Sequence, residues 1–131
     1  MNDIYEMMST LRAVRKLRPD PIPDDVIEQV LQAAAWAPTG GNMQPWRGIV
    51  VRSEERKQAL ADVYRPAWYR YAKGYDARIE QLPEDEAEKA RRNRVAGDFL
   101  ADHLQEAPII LMFVADPKMM AITDAKLDRV S

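Results

Sequence analysis

Proline placement limits what this chain can fold into more than any other feature. Pro19, Pro21 and Pro23 stand at alternate positions, where a ring that fixes φ and disfavours helix in the residue before it forces an extended path. An N-terminal helix must therefore end before Pro19. Pro23 suits the start of a new helix, and Asp24 and Asp25 put negative charge where the helix dipole favours it. Pro38 closes that second helix near Trp36, Pro66 is expected to kink a third, and Pro83 opens a fourth with Glu84, Asp85 and Glu86 behind it. Pro108 ends the fourth, and Asp116-Pro117 ends the strand that follows.

Between these stops the apolar residues set the element types. Ile4, Met7, Met8, Leu11 and Val14 recur at helical spacing, which predicts an amphipathic N-terminal helix with Met-rich packing. Val26, Ile27, Val30, Leu31 and Ala34 predict the buried stripe of the second helix. Leu60, Val63, Tyr64 and Trp68 mark the third, which Ser53, Glu54 and Glu55 start, and Val95, Phe99, Leu100 and Leu104 mark the fourth. Two strands are expected, one around Gly48-Ile49-Val50-Val51 after Trp46 and one over Ile109 to Ala115. The second lacks polar alternation, which predicts cover on both faces. Lys118 to Ser131 carries only weak helical signals at Met119, Met120 and Ile122. The expected class is α+β, with helices outnumbering strands, in a single domain over residues 1–131.

Composition removes several kinds of chemistry. The absence of cysteine excludes disulfide scaffolds, thiolate nucleophiles and iron–sulfur clusters, and it fits a reducing cytoplasm. A single histidine, His103, leaves no His-rich metal site, so no metal ligands are expected. A formal charge of −2 offers no broad field for a nucleic acid. The longest apolar run is far short of the ~20 residues of a membrane helix, and the N-terminus lacks the pattern of a secretory signal.

Two segments carry specific chemistry. From Leu11 to Arg18 the chain places Arg12, Arg15, Lys16 and Arg18 with no acid among them, and guanidinium groups match phosphate oxygens through paired hydrogen bonds. A solvated helix face has the same composition. From Ala37 to Trp46 the chain reads Ala-Pro-Thr-Gly-Gly-Asn-Met-Gln-Pro-Trp, a loop whose Asn42 and Gln44 each offer a donor and an acceptor to the edge of a heterocycle. A structural loop anchored by Trp46 would use the same residues.

Together these segments resemble the FMN-dependent nitroreductase family. Its members carry an Arg-x-x-Arg phosphate-binding segment, here Arg12-Ala13-Val14-Arg15. A Pro-Ser/Thr-x-x-Asn-x-Gln-Pro-Trp loop follows some two dozen residues later, here Pro38 to Trp46. The resemblance implies an α+β fold with helices around a central β-sheet, FMN as cofactor, NAD(P)H as electron donor and a homodimer. It places Arg12 and Arg15 on the FMN phosphate with the Ala13 backbone close by, and Thr39, Asn42 and Gln44 along the flavin or its phosphate and ribityl chain. Ala13 departs from the family's usual serine and so lacks one hydroxyl donor, whereas Thr39 keeps it. The implied reaction passes hydride from NAD(P)H through flavin to a nitroaromatic, quinone or similar acceptor. No catalytic residue is implied, since the cofactor carries the chemistry. Family members run longer, so the chain is expected to represent the N-terminal portion of the fold. The alternative reading is a non-catalytic binding or oligomerisation module.

Other features have plainer readings. Tyr64, Trp68, Tyr69, Tyr71 and Tyr75 interleave with Arg65, Arg70 and Lys73. Core packing of Tyr64, Trp68 and Tyr71 is expected, with a substrate lid or a single-stranded nucleic-acid face as alternatives. Glu84 to Arg94 reads as a solvated face with a favourable Glu88–Arg92 pair. Gly74 and Gly97 read as local helix breakers.

Overall fold

A computed structural model describes residues 3–116 and 118. It contains α1 (Ile4–Thr10), α2 (Asp24–Ala35), a 3-10 turn (Gly40–Asn42), β1 (Trp46–Val51), α3 (Glu54–Ile79), α4 (Glu84–His103), a second 3-10 turn (Leu104–Glu106) and β2 (Ile110–Ala115). The expected order of helices and strands is thus present, and the class is α+β. The helical signals at Met119, Met120 and Ile122, and the stop at Pro117, lie outside the described residues. Among the described residues no helix is long and apolar enough to cross a membrane.

The chain packs as two compact units, each assembled from separated stretches. One joins the described residues up to Pro19 with Glu54–Ala107; the other joins Asp20–Ser53 with the described residues from Pro108 on.

The first unit is built on the α3–α4 hairpin. Small side chains let the two helices approach: Ala61, Ala72 and Ala101 are fully buried, and Ile79, Ala87 and Ala90 form a cluster beside Tyr75 and Leu82. Gly97 is no helix breaker. It lies inside α4, where the indole of Trp68 occupies the space that a Cβ would fill. Gly74 likewise sits within α3, which also runs through Pro66. Polar ties reinforce the crossing: Trp68 Nε1 donates to Asp98 at 2.8 Å, the Tyr69 hydroxyl donates to Asp102 at 3.0 Å, and Arg94 Nε donates to Asp76 at 2.9 Å. Arg94 also pairs with Asp98. Lys57 is 3% exposed, and its ammonium donates to the Ala107 carbonyl at 2.8 Å and meets Glu54 at 2.8 Å. It thus joins the start of α3 to the turn after α4.

Helix α1 is shorter than its apolar spacing predicts. The Ser9 and Thr10 hydroxyls donate back to the Glu6 carbonyl, and the Arg12 guanidinium donates to the carbonyls of Ser9 and Leu11. The Arg12 bonds satisfy the Ser9 and Leu11 carbonyls, which a further helical turn would have used, and Leu11 leaves the helix in an extended conformation. Arg12, Ala13, Val14 and Arg15 therefore lie beyond the helix. Its predicted packing stripe is exposed, with Met8 at 70%. Lys16 sits over the Phe99 ring, 5.3 Å from its centroid, which lays this segment along α4.

In the second unit, α2 matches its predicted limits, but its cover is partial. Ile27 is buried, whereas Val26 and Val30 are exposed. The two strands pair antiparallel, from Trp46 opposite Ala115 to Val51 opposite Ile110. Gly48 admits Phe113 and Leu31 within 3.6 Å of where its Cβ would stand, and Trp46 meets Phe113 edge-on at 5.9 Å. The expectation that β2 is covered on both faces does not hold here. Phe113 is 50% exposed, because a sheet of two strands and one helix has too few layers to cover it. In α4, Val95 is also exposed, and the buried positions of the helix are taken by Ala87, Ala90, Gly97 and Ala101.

Candidate functional site

The arginine segment belongs to the first unit. With α1 ended at Thr10, Arg12, Ala13 and Arg15 border an open groove of about 430 Å³. Trp68, Tyr71 and Tyr75 of α3 and Asn93 of α4 complete its lining. Arg12 donates to Ser9 and Leu11 carbonyls at 2.9 and 2.7 Å, and Arg15 makes one long contact, 3.4 Å, to the Ala13 carbonyl. Neither guanidinium pairs with a carboxylate among the described residues. Each keeps most of its five N–H donors for another acceptor. Two guanidinium groups that border a groove of small-molecule size and meet no carboxylate among the described residues are donors suited to a phosphate monoester. In this respect the residues present fit FMN.

The aromatic helix departs from expectation at Tyr71. Instead of entering the core it is 64% exposed and faces the groove, while Trp68 is held by Asp98 and Gly97. Asn93 carried no recognisable signal, since it sits within the alternating charges of Glu84 to Arg94. That face is solvated as predicted: Arg92 meets Glu88 at 2.6 Å. A second pair, Arg91 with Glu84 at 2.8 Å, spans seven residues and holds the Glu84 carboxyl below its ordinary pKa, chiefly through the hydrogen bond.

Thr39, Asn42 and Gln44 belong to the second unit, in a loop that only unusual backbone angles can close. Gly41, Asn42 and Gln44 have φ of 59°, 53° and 46°, the left-handed region that glycine and asparagine tolerate best. Thr39 holds the turn: its carbonyl accepts from the Asn42 N–H at 2.9 Å and its hydroxyl oxygen from the Gln44 N–H at 3.0 Å. The indole N–H of Trp46 can only donate, so it takes the Gln44 carbonyl oxygen at 2.7 Å. This directs the Gln44 amide nitrogen to the Asn42 oxygen at 3.0 Å. Asn42 and Gln44 therefore have their acceptors engaged within the loop, and their remaining N–H groups are what the loop offers outward. That is narrower than the donor and acceptor pair expected of each amide. Trp46 acts as the anchor.

The class follows from the sequence, which carries both the arginine segment and the amide-bearing loop. The chain belongs to the nitroreductase family, whose sequence pattern matches residues 10–130. Over 124 residues, 95% of this chain and 41% of the relative, it is 24% identical to iodotyrosine deiodinase 1 of Rattus norvegicus. It is 43% identical over 51 residues to an NADH dehydrogenase of Thermus thermophilus, covering 39% of this chain and 25% of that one. It is 38% identical over 64 residues to a provisionally named NADH dehydrogenase/NAD(P)H nitroreductase of Archaeoglobus fulgidus, covering 49% and 37%. The aligned stretches span less than half the length of each of these relatives.

Proposed function

We propose that this chain is the FMN-holding part of an oxidoreductase that takes hydride from NAD(P)H and delivers it to a nitroaromatic, quinone or similar organic acceptor. The observation that carries the reading is the pair Arg12 and Arg15, which meet no carboxylate among the described residues and border a groove of about 430 Å³. When bound, FMN supplies the hydride chemistry, and the protein supplies binding and orientation. Arg12 and Arg15 hold the phosphate dianion through charge-assisted bonds, with the backbone at Ala13 close by. In the second unit, Thr39 keeps the loop closed, which leaves Asn42 and Gln44 with amide donors for a ligand's polar edge. The many exposed apolar side chains, Ile4, Met7, Met8 and Leu11 of the N-terminal segment among them, support a homodimer as the working form.

The test is an FMN titration of the purified chain followed by flavin fluorescence. Arg15→Ala should weaken binding by about 1.5–3 kcal/mol, the range for hydrogen bonds to charged groups. Equal affinity in the two proteins would refute the assignment. Failure of the unaltered chain to bind FMN would favour a non-catalytic module.

A second reading concerns the acceptor, and the long alignment to iodotyrosine deiodinase 1 favours it. In this reading an aryl halide takes two electrons and a proton, so that the carbon–halogen bond becomes carbon–hydrogen and halide leaves. Iodide release from iodotyrosine, measured against nitroaromatic reduction under the same reductant, separates the two acceptors.

A further inference from the structure

The groove beside the arginines carries more chemistry than a phosphate uses. The Tyr71 ring stands 5.7 Å from Trp68 and 6.4 Å from Tyr75, nearly parallel to the latter at 17°. The three rings form a run along α3, and all three line the same groove as Arg12 and Arg15. Trp68 is immobilised, with its indole N–H on Asp98 and its ring over Gly97. Tyr71 packs against that fixed indole, so its exposed ring is held in place without being buried. Aromatic faces of this kind accept flat ring systems, and they do so tolerantly because stacking needs only a π-face. A bare phosphate would leave this wall untouched, whereas the groove volume is in the range of small-molecule pockets.

We propose that Tyr71, with Tyr75 beside it, is a stacking face for a ligand that joins a flat aromatic ring to a phosphate, and that the exposed Asn93 offers its amide to the ring's polar edge. The proposal rests on the FMN reading for the role of Arg12 and Arg15. It extends that reading by making α3 the element that selects for a ring.

The experiment is titration of the full 131-residue chain with FMN, with inorganic phosphate as competitor, on the unaltered protein and on Tyr71→Ala, Tyr71→Phe and Arg15→Ala. Tyr71 is exposed, so its loss should leave the melting curve unchanged. Tyr71→Ala should weaken FMN about tenfold, on the scale of single stacking contacts, and leave phosphate competition as it was. Tyr71→Phe keeps the ring and should bind as the unaltered protein does. Arg15→Ala should weaken FMN and phosphate together. If Tyr71→Ala binds FMN normally while Arg15→Ala does not, or if Tyr71→Phe is as weak as Tyr71→Ala, the stacking face is wrong and the FMN reading stands. If the unaltered chain binds no FMN, both fall.

Discussion

Trp68 and Gly97 show how one residue's size is set by another 29 positions away. A Cβ at residue 97 would overlap the indole of Trp68, so alanine there must displace the ring or separate the helices. Overpacking of this kind costs about 1–3 kcal/mol, against a gain of about 1 kcal/mol in helix propensity. Gly97→Ala should therefore lower stability in a denaturant titration, and a rise in the midpoint would show that the indole has room to move. The sequence alone made Gly97 look like a breaker, because its reason lies on another helix. By contrast, Arg12, Arg15, Asn42 and Gln44 were legible as candidates from their neighbours, since residue type and spacing carry that information. Their hydrogen bonding was not, because the direction of both amides depends on the indole of Trp46.

At the scale of the element, α3 and α4 are joined as much by polar bonds as by alanines. The Tyr69 hydroxyl donates to Asp102, and that bond, then partial burial and the negative charge of Asp102, raise its pKa above the ordinary 10.0, against the opposing charges of Arg94 and Arg65. The folded protein therefore favours the protonated phenol more than the unfolded chain does. Its contribution is complete below pH 10 and is lost as pH rises through the folded-state pKa. Urea melts taken at rising alkaline pH should show the hairpin losing stability above about pH 10. Tyr69→Phe should flatten that dependence, and an identical profile in the variant would place the cause elsewhere. Proline positions made the limits of α2 and the start of α4 readable. The end of α1 was not readable, because the Arg12 side chain takes the Ser9 and Leu11 carbonyls that a further turn would need, and hydropathy spacing does not register such competition.

At the scale of the whole molecule, the second unit leaves much apolar surface uncovered, as does α1. If a homodimer supplies the cover, as proposed above, the melting temperature should rise with protein concentration, and sedimentation should show twice the chain mass. A concentration-independent melt at monomer mass would mean that this surface is tolerated in water or covered by something else. The two-unit division was not legible in the sequence. No composition shift marks it, because each unit is assembled from two separated stretches.

That interleaving has a consequence during synthesis. Strand β1 ends at Val51, and the strand it pairs with begins only at Ile110, after the entire hairpin of α3 and α4 has been made. At ribosomal rates of about 5–20 residues per second, the nascent chain carries an unpaired Ile49-Val50-Val51 edge for roughly 3 to 12 seconds. The hairpin between them has short-range contacts and closes early, whereas the N-terminal arginine segment must wait for helices that emerge after it. In the cell the order of assembly therefore departs from the order in the gene: the α3–α4 hairpin folds first, while β1 and the arginine segment wait for partners made after them.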